Sequence, residues 1–410
     1  MKNILFITYY YPPCNSPGAN RTGAWAKYLS ENGYKVIVVT RYWDGTENNK
    51  ETYISNTNNS KTISVNENLK VYYLPFISKQ NKTKLSAIIN VFKGNFDIEY
   101  DTNGNFYNKI NEIIRKEPID LIITSAPPIN TIKLTSRIYK QTKIPFIIDF
   151  RDLWDNNEMS SKNVIAAKNK IINSFYRYYI NKWVKKSKGL ISVSKPFVEY
   201  ISEKFGISNV EVIINGYLID YKKNNSKTKQ FTISSIGKIY DRQEYKILLN
   251  GIASFIKSKN NESIMVNFIG ISKTDKIYND LIEIIPKNNL LIKERIQKLE
   301  ADKYMLNSDV LIYSGWKMYS GIFSSKIFEY LASRKNIIIA PSDNDVIDEL
   351  LKQTKSGVSL NTENEVREQL NLLYNEWLNN GFSTYVGIEK EIEKYSASKQ
   401  VSKLIKFIEK

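Results

Sequence analysis

The sequence predicts an α/β protein built from two domains, each containing a parallel β-sheet. Short apolar runs alternate with helical patterns along the chain, and this alternation is typical of right-handed βαβ units. The 410 residues also exceed what one ordinary hydrophobic core holds, so two domains of roughly 150–200 residues are expected. We expect Rossmann-like domains over residues 1–215 and 216–390, with a C-terminal helix at 391–410 packing back on the first.

In the first half, an apolar run at Ile4–Thr8 precedes a loop containing Gly18, a helical pattern and a second strand at Lys35–Val39. Gly33 is placed to end that helix, because glycine commonly takes the left-handed conformation there. The polar stretch 44–68 predicts a surface insertion. Further strand candidates are Leu121–Thr124, Ile144–Asp149 and Leu190–Val193.

The second half repeats the alternation after Asn215-Gly216 and carries a prominent helical pattern at Ser325–Ser333. The strand candidates are Phe231–Ile236, Ile264–Ile269, Asn289–Ile292, Asp309–Ile312 and Asn336–Ala340. Parallel sheets of this kind bind ligands outside the carboxyl ends of their strands. The candidate ligand-binding loops are those after Thr8, Ser125, Asp149, Ile236 and Tyr313.

The chain is strongly basic, with 59 Lys and Arg against 42 Asp and Glu and a formal net charge of +17. Such a charge favours nucleic acid, an anionic membrane or an anionic small molecule as a partner, and an AT-rich coding sequence is the alternative explanation. The basic residues are spread along the chain without an Arg-rich tail or zinc-ligand spacing, which argues against nucleic acid.

Histidine is absent and Cys14 is the one cysteine, so histidine triads, histidine metal sites and an internal disulfide are excluded. The single cysteine fits a reducing cytoplasm. The chain opens without a signal-peptide pattern, and no apolar run approaches the roughly 20 residues of a membrane span. We therefore expect a cytoplasmic protein, soluble or attached peripherally at the inner face of the cell membrane.

Several short motifs occur in order along the chain from residue 1 to about residue 350. They are Tyr9–Pro13, Gly18, Arg21, Gly33–Val36, Ser125–Pro128, Asp149–Trp154, Val193–Pro196, Ile214–Tyr217, Gly237–Arg242 and Ser324–Ala332. Their order and spacing resemble the family 4 retaining glycosyltransferases. The resemblance implies the GT-B fold, in which two Rossmann-like domains face each other across a cleft, and transfer of a sugar from a nucleotide diphosphate donor.

The donor is expected on the second domain, where Arg242 follows the strand ending at Ile236. A guanidinium there is suited to hold a diphosphate bidentately, and the matching arginine of the family binds donor phosphates. A solvated surface side chain is the alternative. Gly18 follows the first strand and would add backbone N–H groups, unless that loop is an ordinary βα turn. No Gly-x-Gly-x-x-Gly fingerprint occurs, which argues against a nicotinamide or flavin enzyme.

The second domain has a further candidate donor site at the start of a predicted helix. Gly321, Ser324 and Ser325 precede or open this helix, whose free N–H groups favour an anion. Lys326 adds a positive charge, and Glu329 on the next turn is able to accept hydrogen bonds from two ribose hydroxyls. The alternative is that Ser324 only caps the helix and Glu329 is solvated.

One position departs from the resemblance. Many members of the family carry two glutamates eight positions apart, of which the first contacts the transferred sugar. Glu329 matches the second glutamate, whereas Gly321 stands at the position of the first. Recognition of the sugar hydroxyls is therefore expected to differ, for example through backbone groups, and the donor sugar is left open.

Charged residues at the exit of a first-domain strand predict the acceptor site. The predicted acceptor-binding residues are Arg21, Asp149, Arg151 and Trp154. An internal pair between Arg151 and a carboxylate is the alternative, because unpaired charges on a buried strand are costly. Asp152 is expected to lie nearest the reacting centre, as a base or as support for developing positive charge, with Arg242 as the second catalytic group.

Asp343-Asn344-Asp345 has the Asp-x-Asp spacing that metal-dependent GT-A glycosyltransferases use. It follows a predicted strand and precedes a predicted helix, which favours an ordinary polar loop. We expect neither a metal nor a cofactor.

The segment Lys168–Lys186 is a candidate membrane-facing helix. Ile171, Phe175, Tyr179 and Trp183 recur every four residues, while most of the basic residues lie elsewhere around the helix. A stripe that faces the protein core is the equal alternative.

The resemblance implies a retaining transferase for bacterial surface polysaccharide (capsule, O-antigen or lipopolysaccharide), with a lipid-linked or glycan acceptor. Peripheral contact with an anionic membrane is expected, and no nucleic acid. The departing diphosphate is the expected base in a front-face route. An inverting GT-B enzyme and a basic, non-catalytic membrane- or nucleic-acid-binding protein are the alternatives.

Overall fold

The computed structural model describes residues 2–47, 50–77, 92–95, 103–153, 170–221, 228–259 and 263–410. The chain forms two compact units, one of Met1–Asn215 with Gln400–Lys410 and one of Gly216–Lys399. Each unit is built on a largely parallel sheet flanked by helices. The α/β class predicted from the alternating apolar runs is therefore confirmed.

The described part of the first unit contains an eight-stranded sheet in the order β3-β4-β2-β1-β5-β6-β7-β8. Its strands are β1 (Asn3–Ile7), β2 (Lys35–Arg41), β3 (Lys61–Asn66), β4 (Leu69–Leu74), β5 (Leu121–Ala126), β6 (Phe146–Phe150), β7 (Gly189–Ser192) and β8 (Val210–Val212). Neighbouring strands are parallel, except that β3 runs antiparallel to β4. Strands β1, β2, β5 and β6 are buried along almost their whole length, as expected for a parallel sheet covered on both faces.

The helices described in this unit are α1 (Pro17–Glu31), α2 (Lys50–Tyr53), α3 (Asn105–Lys116), α4 (Asn130–Thr142), α5 (Lys170–Val184) and α6 (Lys195–Phe205). Strand β3 lies in the stretch 44–68, where the sequence predicts only a surface insertion. The side chains of β3 are exposed at nearly every position, so hydrophobic periodicity carries no signal for this strand.

The second unit contains a sheet in the order β11-β10-β9-β12-β13-β14, with all neighbours parallel. Its strands are β9 (Phe231–Ile236), β10 (Ile264–Ile269), β11 (Leu290–Lys293), β12 (Val310–Tyr313), β13 (Asn336–Ile339) and β14 (Gly357–Ser359). Its helices are α7 (Lys246–Lys259), α8 (Lys276–Ile284), α9 (Lys298–Leu306), α10 (Ser325–Ser333), α11 (Val346–Thr354), α12 (Glu363–Asn380) and α13 (Glu389–Glu393). The sequence misses the short, half-buried β14.

The chain returns to the first unit later than predicted, because residues 391–399 stay with the second unit. Main-chain hydrogen bonds hold them there: the Tyr217 N–H donates to the Tyr395 carbonyl (3.0 Å), and the Ala397 N–H donates to the Tyr217 carbonyl (2.8 Å). Tyr217, near the start of the second unit, therefore holds the segment before the last helix in that unit.

Helix α14 (Ala397–Glu409) then completes the core of the first unit. Its apolar side chains recur at helical spacing and are buried in that core: Val401, Leu404, Phe407 and Ile408. At its end, Lys2 binds Glu409 (3.0 Å) and the Tyr34 hydroxyl donates to the same carboxylate (2.5 Å). The last residues of the chain thus cover the sheet formed by the first.

A fully buried ion pair joins helix α1 to the end of β6. The Arg21 guanidinium donates to the Asp149 carboxylate from Nη2 (2.7 Å) and Nε (3.1 Å), and neither side chain is exposed. Asp149 also accepts from the Ser125 hydroxyl (2.8 Å), Arg21 donates to Asn215 (3.3 Å), and its guanidinium lies 4.2 Å from the Trp25 ring centroid. The charges are compensated, so the pair orients α1, β5 and β6 at one edge of the sheet.

Removing one partner of this pair should destabilise the first unit strongly. In Asp149→Ala the Arg21 charge stays buried without its carboxylate, and the expected loss of unfolding free energy is about 3–5 kcal/mol. Urea unfolding followed by circular dichroism measures it. Glu112→Ala is the control, since Glu112 binds Lys109 and Lys116 at the surface and should shift the midpoint little. Equal shifts in both variants would contradict the role given to the buried pair.

Candidate functional site

In the second unit, the loops that follow β9 and β12 lie together at the carboxyl edge of the sheet. The Gln243 side-chain amide donates to the Ser314 carbonyl (2.5 Å), and Arg242 Nη1 donates to the Tyr319 hydroxyl (3.3 Å). The two strands are neighbours in the sheet, so their carboxyl ends open at the same place. Arg242 is exposed, and its guanidinium lies beside the loop that leads to helix α10.

Lys326 lies against the loop after β9. Its ammonium donates to the Lys238 carbonyl, and a Cβ added to Gly237 would lie 2.9 Å from Lys326 Cε. Gly237 also has a φ of +88°, in the region that favours glycine. Burial lowers the pKa of Lys326 to about 7. The ammonium is thus held in a place that disfavours its charge, and a nearby anion would restore the charge.

The start of helix α10 is open to an anion. Ser324 occupies the N-cap position in extended conformation, but its side chain makes no capping hydrogen bond. The Ser324 carbonyl accepts from the Ile327 N–H (3.2 Å). The Ser324 hydroxyl does not bind the first N–H groups of the helix, at Ser325 and Lys326. The first N–H groups of a helix and its dipole together favour negative charge.

Gly321 does not present its N–H group freely. This N–H donates to the Asp345 carboxylate, which also accepts from the Ser320 hydroxyl (2.9 Å). Gly321 has a φ of +79°, so the loop turns sharply here. The structure therefore places a carboxylate, Asp345, next to the position where the sequence lacks a glutamate. Sequence reasoning missed this neighbour, because the two residues are far apart along the chain.

Glu329 is half-buried and ion-paired. Its Oε1 lies 3.2 Å from Lys298 Nζ, and the same ammonium binds Asp302 at 2.5 Å. Burial raises the pKa of Glu329, while Lys298 opposes that rise. A freely solvated helix residue, the alternative left open by the sequence, does not describe this carboxylate.

The Asp-x-Asp segment serves the local structure. The Asp343 carboxylate accepts from the N–H groups of Ile347 (3.0 Å) and Asp348 (3.1 Å) and so holds the first turn of helix α11. Asp345 binds the Gly321 loop, as described above. Within the described residues, no group of three or more Cys, Asp or Glu side chains is arranged to hold a metal ion.

In the first unit, the loops after β1, β5 and β6 lie together at the carboxyl edge. The Ser16 hydroxyl caps helix α1 by accepting from the Ala19 N–H (3.2 Å). Gly18 lies in the same first turn, where an added Cβ would overlap the Arg151 guanidinium. Arg151 donates to the Pro127 carbonyl and lies 5.5 Å from the Tyr10 ring centroid. A larger residue at position 18 would therefore require the Arg151 side chain to move.

Residues 18–220 match the family model described as Glycosyltransferase Family 4. The chain is a glycosyltransferase with a family 4 domain. No curated protein sequence matches it detectably.

Solved structures share the fold of the whole glycosyltransferase at low sequence identity. Sucrose-phosphate synthase from Thermosynechococcus elongatus is 11% identical, with a TM-score of 0.66 over 100% of this chain and 98% of that one. The lipopolysaccharide glycosyltransferase WaaG is 13% identical, with a TM-score of 0.59 over 98% of both chains. Anabaena HepE with UDP and glucose is 12% identical, with a TM-score of 0.62 over 100% of both. These similarities confirm the GT-B fold.

The residues predicted to bind the acceptor occupy different environments in the glycosyltransferase. Arg21 and Asp149 are fully buried in their mutual pair, so neither presents its side chain to a ligand. The sequence left open an internal pair in this region, but placed Arg151 in it, whereas Arg21 is the partner observed. Asp152 is exposed beside basic side chains of α5 and α6. Trp154 lies outside the described residues.

The aromatic stripe of α5 packs mainly against a neighbouring segment. Phe175 and Phe92 stack edge-to-face with ring centroids 4.8 Å apart, and the Tyr179 hydroxyl donates to the Phe92 carbonyl (2.7 Å). Trp183 is buried and lies close to Gly94. The side chain of Ile171 lies outside the described residues. The described part of the stripe, from Phe175 to Trp183, therefore packs against the protein. The exposed aromatic side chains Phe92 and Tyr178 lie beside it.

Within the described residues of the glycosyltransferase, no helix combines the length and apolar character that crossing a membrane requires.

Proposed function

We propose that the glycosyltransferase transfers a sugar from a nucleotide diphosphate sugar to a lipid-linked or glycan acceptor, with retention of anomeric configuration. The pathway we infer is bacterial surface-polysaccharide synthesis, as capsule, O-antigen or lipopolysaccharide. One observation carries the proposal. The uncapped start of α10, the half-buried Lys326 and the exposed Arg242 converge at the carboxyl edge of the second sheet.

A diphosphate suits these groups. Helix N–H groups, an ammonium and a guanidinium supply positive charge from three directions, and charge-assisted bonds of this kind are roughly twice as strong as neutral ones. Glu329 is the carboxylate on the same helix that is suited to accept hydrogen bonds from ribose hydroxyls. Solved structures of HepE contain UDP or UDP-glucose, which supports a nucleotide sugar as the donor here.

The proposed reaction needs no metal and no cofactor. The bond between the anomeric carbon and the diphosphate oxygen breaks as the acceptor oxygen bonds to the same face of that carbon. The acceptor proton passes to the departing diphosphate. Arg242, Lys326 and the helix start stabilise the negative charge that grows on the leaving group. Asp152 is our proposed carboxylate near the reacting carbon.

A peripheral attachment at the inner face of the cell membrane is part of the proposal. Phe92 and Tyr178 expose 53% and 58% of their surface, and the exposed lysines Lys185 and Lys186 follow on the end of α5. Aromatic rings at the headgroup level and lysines near anionic lipids both favour docking, at roughly 1 kcal/mol per basic residue. WaaG, which is described as a glycosyltransferase involved in lipopolysaccharide biosynthesis, supports surface polysaccharide as the pathway.

A panel of nucleotide sugars tests the proposed function. At least one of them should raise the melting temperature and support transfer, and turnover should persist in EDTA. Its nucleoside diphosphate should raise the melting temperature without supporting transfer. The anomeric configuration of the product, read by NMR, should match that of the donor. Activity lost in EDTA and restored by manganese would contradict metal independence, and an inverted product would assign the enzyme to the inverting alternative.

Arg242 should contribute more to turnover than to donor binding, because it acts on charge that develops in the transition state. Arg242→Lys should lower kcat by about tenfold or more while KM changes less, since lysine lacks the planar fork. Arg242→Ala should be slower still. Arg367→Lys is the matched control, since Arg367 lies half-exposed on α12 and pairs with Glu368. Equal kcat in all forms would remove Arg242 from the donor site.

Glu329→Gln should weaken the use of the donor without unfolding the protein. The amide keeps the volume but loses the charge that strengthens ribose hydrogen bonds, so kcat/KM for the donor should fall by about tenfold. Glu300→Gln is the control, because Glu300 forms an exposed pair with Lys293 (2.9 Å) in the same unit. A donor kcat/KM that matches the parent would make Glu329 a purely structural residue.

Donor affinity should fall as pH rises above about 7, because the pKa of Lys326 lies at about 7 and its ammonium is lost above it. If binding raises this pKa by about one unit, the affinity should fall by up to about tenfold between roughly pH 7 and pH 9. Isothermal titration with a nucleotide sugar, whose diphosphate stays fully ionised across this range, measures the effect. Lys326→Arg should flatten the profile, since arginine stays charged. An equally steep profile in that variant would contradict the role of Lys326.

A further inference from the structure

A cavity of about 450 Å³ lies in the first unit at the carboxyl edge of its sheet. Part of its wall is formed by Tyr9, Phe76 and Pro128, which follow β1, β4 and β5. The rest comes mainly from helices α3 and α4 and from Trp183 near the end of α5. The volume lies within the range of small-molecule sites, about 300–1,000 Å³.

Three cations on one face of α4 line this cavity. Lys133, Arg137 and Lys140 are spaced four and three residues apart, so they follow one side of the helix over about 10 Å. Among the described lining residues there is no carboxylate. Arg137 lies over the Tyr107 ring at 3.5 Å from its centroid, which holds the guanidinium at the wall. The arrangement favours an anion.

Lys133 is the half-buried member of the three. Its ammonium donates to two uncharged acceptors, the Lys93 carbonyl (2.6 Å) and the Asn95 side-chain oxygen (2.5 Å). Burial, together with the nearby charges of Arg137 and Lys93, lowers the pKa of Lys133 to about 8. An anion in the cavity would offset this penalty.

The remaining wall is apolar and aromatic. Phe106 and Trp183 are buried residues that line it, and Leu134 on α4 is half-buried there. A small inorganic anion would make no apolar contacts with this part of the wall. A ligand with a charged head and a bulky apolar part satisfies both halves of the cavity.

We propose that this cavity binds the phosphate-bearing end of a lipid-linked acceptor. The phosphate lies among Lys133, Arg137 and Lys140, and the adjoining lipid chain packs against Phe106 and Trp183. This inference rests on the proposed function and deepens it, because it gives the acceptor an anionic lipid carrier and a site distinct from the residues predicted from sequence.

The surroundings of the cavity support a lipid carrier. Lys133 binds the segment 92–95 through Lys93 and Asn95, and Trp183 lies against Gly94 of the same segment. The exposed Phe92 starts this segment. A lipid chain leaving the cavity along it would therefore meet the exposed aromatic and lysine side chains proposed to dock on the membrane.

Binding of soluble analogues to the full chain tests the proposal. Farnesyl diphosphate, below its micelle concentration, should bind with a Kd at least about tenfold lower than farnesol or glucose 1-phosphate in isothermal titration. Arg137→Gln combined with Lys140→Gln should weaken farnesyl diphosphate by about tenfold or more. Leu134→Trp should weaken it as well, by filling the cavity without a change of charge.

The matched control is Arg115→Gln with Lys116→Gln, which removes the same charge from the exposed end of α3. Equal weakening by both double variants would overturn the site, as would farnesol binding as tightly as its diphosphate. Glucose 1-phosphate binding as tightly would overturn the lipid carrier. Hydrolysis of the nucleotide sugar by water is measured in the parent chain and in the variants. If the parent chain hydrolyses the nucleotide sugar but does not bind farnesyl diphosphate, this inference fails and the proposed function stands.

Discussion

The constraint on which the molecule depends is that a parallel sheet must bury both of its faces. In each unit, helices cover strands that are largely apolar, so a charged side chain on a buried strand must be compensated. Asp149, on β6, is paired inside the protein with Arg21, whereas the charged groups proposed for chemistry lie in loops at the carboxyl edge of the sheet or on the helix that begins there.

The two helix starts at these edges differ in a way that separates their roles. Helix α1 is capped by the Ser16 hydroxyl, and Gly18 packs against Arg151, so this start is already satisfied by the protein. Helix α10 starts without a side-chain cap, beside an ammonium that burial makes less basic. A bound anion would accept from the uncapped N–H groups and stabilise the charged form of Lys326. Unsatisfied donors and shifted pKa values of this kind are concentrated at functional sites.

Some of the basic residues that give the chain its positive charge are clustered in the first unit. Lysines and an arginine lie along one side of α4, facing a cavity with aromatic walls, and further lysines continue on α5 near exposed aromatic rings. Repulsion among these like charges is reduced, because solvent screens the exposed ones and aromatic rings attract the cations that lie over them. An even spread of basic residues along a sequence therefore coexists with local concentration in the fold.

Local patterns of the sequence determined the α/β class, nearly all the long buried strands and the loops at their carboxyl ends, because buried parallel strands are continuous apolar runs bounded by loop residues. Strands β3, β4, β8 and β14 were not predicted, because β3 is exposed, β4 is interrupted by polar positions, and β8 and β14 are only three residues long. Only the tertiary structure decided that Arg21 is the partner of Asp149, that Asp345 lies beside Gly321, and that Lys133, Arg137 and Lys140 face Phe106 and Trp183. Each of these depends on side chains that strand order and helix packing bring together from distant parts of the chain. Local periodicity reports which face of an element is buried, but not which residue it meets there.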